Sequence, residues 1–314
     1  MSPVLNNLLP VFALMALGRL LLRLGLLDRE FFRLSDRLVY FVLFPALLFW
    51  KLGVARAGGK SGGQLELAAL QAVPWILAAV GLVWLAGLAY MHRAGYPPAW
   101  RGSFSQLTFR FNTYVGMAVV LTTLGEAGVT VFGVIMGLLI PFINLLCVGT
   151  LIWYGGEQAG GRRRLLTLAR ALVGNPLILG CAAGLAYGRW GVPLPPFVHN
   201  TLALMSSLTL PLALLSIGAG LGLDKLKGQL GPALVAAGFK LLLLPALGLG
   251  MLWLAGVRGI ALQVSAIYLT LPTAASTHIL SRQLGGEVDL ALAGTVLSTL
   301  LSFLSLSAVL LVWG

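Results

Sequence analysis

Runs of apolar residues long enough to cross a lipid bilayer follow one another along almost the whole chain, and they leave few folds open. A backbone N–H or C=O in hydrocarbon must find its partner within the protein, so such runs become helices or close into barrels. A transmembrane barrel shows alternating segments of about 10 residues; the runs here are continuous. Ten are long enough for a hydrocarbon core about 30 Å thick, at roughly 4–24, 35–52, 66–91, 102–124, 129–153, 171–189, 197–221, 231–256, 259–283 and 288–313. Composition agrees: 59% of the 314 residues are hydrophobic and 10% are charged, against about 25% charged in a soluble protein. The predicted fold class is an all-α integral membrane protein of ten transmembrane helices.

The net charge of +12 does not indicate a nucleic-acid partner, because the charges sit at the ends of apolar spans and form no basic face. Cys147 and Cys181 lie inside apolar segments and read as small buried hydrophobes, not as a disulfide or a metal site. The first apolar run, from Val4 past Leu24, is long enough to span and carries no A-x-A-like cleavage site, so it reads as a retained helix.

Loop charges set the orientation. With the N-terminus outside, fourteen Lys and Arg fall on the inner side and five on the outer, leaving Arg110 and Lys240 within spans. Both termini are therefore expected outside, with the basic 155–169 loop in the cytoplasm. That loop divides the chain into five spans at 1–154 and five at 170–314. Five is odd, so two halves sharing a fold must be inverted relative to one another. A single offset of 166 pairs Pro10 with Pro176, Gly18 with Gly184, Gly25 with Gly191, Phe31 with Phe197 and Pro45 with Pro211. Proline and glycine punctuate the backbone, so their coincidence outweighs any Leu–Leu match. Later the offset drifts to 160, which pairs Asn112 with Pro272, Thr113 with Thr273 and Leu124-Gly125 with Leu284-Gly285.

Spans four and nine carry polar residues where lipid should be. In span four these are Arg110, Asn112, Thr113 and Tyr114, and in span nine the middle reads LTLPTAAST. Interrupted spans at matching positions of two halves point to a transporter's binding site, with half-helix N-termini suited to an anionic group. Pro272 removes a donor and disfavours helix at Leu271, so a break there is well motivated. In span four, Asn112, Thr113 and Gly116 are the residues available to support a break. Arg110 reads either as a fixed cation for a carboxylate or as an arginine snorkelling to the cytoplasmic surface. Lys240 in span eight poses the same choice, with snorkelling favoured. Asn112 and Thr113 read as substrate contacts or caps of the break, Tyr114 as a site wall or interface aromatic, and His278 as a core or cavity histidine. Ser276 closes the polar set.

All nine carboxylates lie in loops or near span ends, so an intramembrane proton relay or carboxylate sodium site is not supported. Backbone carbonyls at a broken helix remain available to a cation. The chain carries no nucleotide-phosphate loop, HExxH or GxSxG motif, and neither enzyme chemistry nor a cofactor or metal is expected.

Taken in order, LLPVFALMALGRLLLRLGLL at 8–27, LFPALLF at 43–49, FRFNTYVGMAV at 109–119, LGEAG at 124–128, NPLILGCAAGL at 175–185, LPLALLSIGAGL at 210–221, KLLLLPAL at 240–247, LPTAAS at 271–276 and RQLGGE at 282–287 resemble the auxin efflux carrier family of membrane transporters, in a bacterial-type branch with RFNTY at the crossover. Many members carry a proline near the span-four crossover, where Met117 and Ala118 stand here. The resemblance implies a 5+5 inverted repeat with crossovers in spans four and nine and organic-anion substrates such as dicarboxylates or indole acetate. It implies a scaffold of spans one, two, six and seven, often a homodimer, here through spans two and seven, and a moving domain of spans three to five and eight to ten. It carries Asn112, Thr113, Pro272 and Thr273 over as crossover residues. The expected function is a plasma-membrane carrier for a small organic anion, working by alternating access. The alternative is a non-transporting receptor with the same fold, for which the lack of any sizeable soluble domain leaves no output surface.

Overall fold

Many large apolar side chains face outward from the bundle. Leu204, Leu242, Leu254, Leu304 and Trp153 are all exposed, as they must be where the surrounding medium is lipid rather than water. The computed structural model describes residues 6–57, 60–155, 174–190 and 192–313. The 155–169 linker lies outside the described residues apart from Gly155, as do residues 1–5 at the start of the first expected span.

The described chain is helical. In order it forms α1 (Leu9–Arg23), α2 (Arg29–Leu38), α3 (Phe44–Ala57), α4 (Lys60–Arg93), α5 (Pro98–Phe109), α6 (Thr113–Tyr154), α7 (Pro176–Trp190), α8 (Pro196–Gly220), α9 (Leu230–Gly238), α10 (Leu244–Leu254), α11 (Gly259–Thr270), α12 (Thr277–Gln283) and α13 (Val288–Trp313). A π-helical turn, Val39–Leu43, joins α2 to α3, and a second, Phe239–Leu243, joins α9 to α10.

Among the described residues, six stretches are long and apolar enough to cross a membrane: Arg29–Val54, Gly63–Arg93, Pro98–Tyr154, Pro196–Gly220, Leu230–Leu254 and Val288–Val312. The difference from ten has local causes. Pro98–Tyr154 holds 57 residues, about 85 Å of helix at 1.5 Å per residue, far more than one crossing needs. It folds back at Gly125, whose φ of 60° and ψ of −153° are open to glycine and closed to side-chain-bearing residues. The first and sixth expected spans are short helices of 15 residues each, α1 and α7, and the ninth is broken.

Two tight helix crossings form one side of the bundle. Gly18 of α1 lies against the backbone of Leu215 in α8, and Gly218 of α8 lies against the backbone of Met15 in α1. Likewise Gly180 and Gly184 of α7 meet the backbone of Pro45 and of Leu48 and Phe49 in α3. With no aqueous hydrophobic drive in lipid, such close backbone approach supplies the packing energy. On the other side, α4, α5, α6 and α9 to α13 enclose the most buried segments, Gly102–Phe109 and Val264–Leu271.

Several helix ends meet at one end of the bundle. Glu287 N–H donates to the Ala99 carbonyl at 3.2 Å, and Gly155 packs on the backbone of Leu284 and Gly285. At the opposite end, Lys51 and Glu126 form an ion pair at 2.6 Å, and Arg189 and Glu66 pair at 3.5 Å.

Candidate functional site at the crossing of two broken helices

Two half-helices of 12 residues, α5 and α11, end in the same backbone conformation. Arg110 terminates α5 with φ −61° and ψ 150°, and Leu271 terminates α11 with φ −63° and ψ 149°. For Leu271 the cause is the following Pro272, which excludes helical geometry from the residue before it. Span four achieves the break without proline. Asn112 is extended, and its Oδ1 accepts from the N–H groups of Tyr114 at 3.1 Å and Val115 at 3.2 Å. This N-cap starts α6 afresh after a gap of three residues. The second gap is longer, residues 271–276, and α12 beyond it has only seven residues.

The breaks touch. Asn112 N–H donates to the Pro272 carbonyl at 2.8 Å, and Thr273 Oγ1 donates to the Leu107 carbonyl at 3.0 Å while its N–H is taken by Ser298 Oγ at 3.2 Å. Helix ends leave carbonyls without intrahelical partners, and in α11 they find side chains. Ser305 Oγ donates to Thr270 O at 3.0 Å, and Lys240 Nζ lies 3.4 Å from Leu269 O.

Lys240 therefore does not snorkel. Its side chain is 0% exposed, set by the π turn against the C-terminal end of α11, where a cation meets the negative end of the helix dipole. Its position fits a support for the break better than a direct anion ligand. Gly116 also differs from the hinge role expected of it. It sits inside α6, and a Cβ there would collide with the Phe132 ring and, at 2.6 Å, with Leu271 Cδ1. Its hydrogen side chain allows close packing, and the break itself lies at 110–112.

Arg110 is partly buried at the mouth of the first break. Its Nη1 donates to Gln106 Oε1 at 2.9 Å and its Nη2 to Ser276 Oγ at 3.2 Å. Among the described residues no carboxylate pairs with it. Tyr114 stands edge-on to Phe44, ring centroids 5.0 Å apart. Thr113 opens α6 and is partly buried, and His278 lies in the first turn of α12. Two buried polar atoms have no protein partner here, Asn112 Nδ2 and the Tyr268 hydroxyl.

Reading the sequence missed Gln106, Ser281 and Ser103. Gln106 was the findable one, since it is four residues before Arg110 and shares its helix face. Ser281 reaches the site only through tertiary packing.

Thr273→Val tests the junction without touching charge. It keeps the shape but leaves the Leu107 carbonyl buried and unpaired, costing about 1–3 kcal/mol, and is expected to lower the thermal midpoint in detergent measurably. An unchanged midpoint would show that the breaks are held together by other contacts.

A lipid-exposed helical bundle whose two discontinuous helices meet among buried polar groups has the layout expected of a membrane transporter. Comparison with known proteins narrows the class. Residues 162–310 match the model of a family described as membrane transport protein. An uncharacterized transporter from Methanothermobacter thermautotrophicus is 25% identical over 96% of this chain and 95% of its own length. A "Putative malonate transporter" from Rhizobium meliloti is 25% identical over 99% and 96%. A third relative, an uncharacterized transporter from Methanocaldococcus jannaschii, is 25% identical over 92% and 91%. The second half of the chain is thus similar to this family of membrane transport proteins, and nearly the whole chain is similar to relatives named as transporters.

Proposed function

We propose that the protein is a secondary carrier for a small organic anion, a carboxylate or dicarboxylate, bound where the two broken helices cross. One observation carries the reading: a partly buried guanidinium with no carboxylate partner among the described residues, fixed at a helix break beside a hydroxyl and an N-capping asparagine. A cation held this way favours an anionic guest, because a partly buried charge without a counter-ion is costly. The name of the Rhizobium meliloti relative points to a dicarboxylate. Asn112, Thr113, Tyr114, Ser276 and His278 would line the site, with Pro272, Thr273 and Lys240 shaping the open backbone.

The carrier would work as two inverted five-span repeats. The paired crossings support this: a shift of 166 turns the contact of Gly18 with Leu215 into that of Gly184 with Phe49. At the centre, Asn112 bonds Pro272, its counterpart at the offset of 160. Helices α1, α2–α3, α7 and α8 would be the scaffold, and the remainder the moving domain of an elevator or rocking cycle. A homodimer through spans two and seven would cover the exposed Phe41, Val42, Leu204 and Leu208. The loop-charge bias favours both termini outside, and the membrane would be the plasma membrane.

Purified protein in liposomes, offered labelled mono- and dicarboxylates, is expected to give saturable flux. Folded protein that binds an anion without moving it would favour the receptor reading, and protein that neither binds nor moves any would remove the anion site altogether.

A further inference from the structure

We infer that Gln106 is the positioning residue that turns Arg110 into an anion-selective donor, by holding one guanidinium nitrogen with a neutral acceptor. The inference rests on the carrier reading above and deepens it.

Gln106 is 0% exposed on a half-helix buried on every side from Gly102 to Phe109. A buried amide is tolerated only when its polar atoms are paired, and here both are. Oε1 accepts from Arg110 Nη1 at 2.9 Å. Nε2 donates to Ser281 Oγ at 3.1 Å, and the same oxygen accepts from Ser103 Oγ at 2.9 Å. Ser281 thus receives two donors, which fixes the amide with its oxygen toward Arg110. The chain from Ser103 through Ser281 and Gln106 to Arg110 ties α5 to α12, and Arg110 closes the loop onto Ser276 at the start of α12.

The residue type at this acceptor matters. A glutamate at 106 would reach the same nitrogen with equal length and a stronger bond, but it would neutralise the guanidinium and repel an incoming carboxylate. Glutamine orients without spending the charge. With one Nη1 hydrogen given to Gln106 and one Nη2 hydrogen to Ser276, the remaining guanidinium N–H groups and the Ser276 hydroxyl are the donors left for a guest. The substrate class this fits is an anion presenting one carboxylate to Arg110, with any second acidic group bound elsewhere.

The test uses the full-length carrier and malonate as probe. Binding is measured by calorimetry in detergent and by flux in liposomes, and Arg110 accessibility by phenylglyoxal labelling read by mass spectrometry. Gln106→Glu is expected to weaken malonate binding at least tenfold while the folded protein persists. A purely structural role predicts the opposite, rescue by this near-isosteric acceptor, so wild-type affinity in Gln106→Glu overturns the inference. Gln106→Leu and Ser281→Ala release the guanidinium, and both are expected to raise KM several-fold with kcat little changed and to speed labelling of Arg110. Unchanged KM and labelling in Ser281→Ala overturn it even if the position-106 variants fail to fold. Wild-type protein that binds no carboxylate sinks the anion reading and this role with it, whereas wild-type binding with an indifferent Gln106→Glu sinks only the role.

Discussion

Arg110→Ala is expected to weaken carboxylate binding about tenfold to a hundredfold, while Arg93→Ala leaves it unchanged. A hydrogen bond to a charged group is worth about 1.5–3 kcal/mol, and each 1.4 kcal/mol is about tenfold in Kd. Arg110 can deliver that because it is partly withdrawn from solvent, held by Gln106 and Ser276, and uncompensated by any carboxylate among the described residues. Arg93, by contrast, is exposed at the end of α4. Its charge is screened over a Debye length of about 8 Å at physiological salt. Isothermal titration with malonate and with a monocarboxylate checks both variants. Equal small losses would refute a cation site at the crossing. A large loss confined to Arg110→Ala, with the thermal midpoint kept, would assign the charge to the ligand rather than to the fold.

The second large effect is structural. Gly218→Ala is expected to destabilise the protein by at least about 1–3 kcal/mol, the usual cost of overpacking. The added methyl meets the Met15 backbone rather than a flexible side chain. Backbone cannot yield without separating α1 from α8, so the loss should show as a lowered thermal midpoint and poor recovery from the membrane. Gly18→Ala, against the Leu215 backbone, should behave alike. Gly250→Ala is the control. Nothing lies within 4 Å of a Cβ there, and removing glycine from the interior of α10 gains about 1 kcal/mol of helix propensity. If Gly218→Ala and Gly250→Ala gave the same midpoint, the crossing of α1 and α8 would not be the tight contact described.

Much of this arrangement was legible in the residues. Pro272 announces its break, since a missing donor and a restricted preceding residue act locally. LGEAG at 124–128 marks the reversal at Gly125 for the same reason, a backbone conformation that glycine alone tolerates at little cost. The polar run RFNTY marks the other break by its residue types, although only the capping geometry of Asn112 shows how a helix ends there without proline. The two π turns left no sequence signal, since Val39–Leu43 and Phe239–Leu243 are as apolar as their surroundings apart from Tyr40 and Lys240.

By itself, then, the sequence determined everything that depends on neighbours along the chain: a helical membrane protein, two interrupted spans, their polar contents, and a cation with no carboxylate nearby in the same segment. Tertiary structure decided how those parts are used. It brought Asn112 to Pro272 and Thr273 to Leu107 across 160 and 166 positions. It also buried Lys240 against the end of α11 and joined Gln106 to Ser281. Polar groups within lipid must be satisfied somewhere in the protein, and the partners chosen depend on which helices cross, a question of packing that no local pattern encodes.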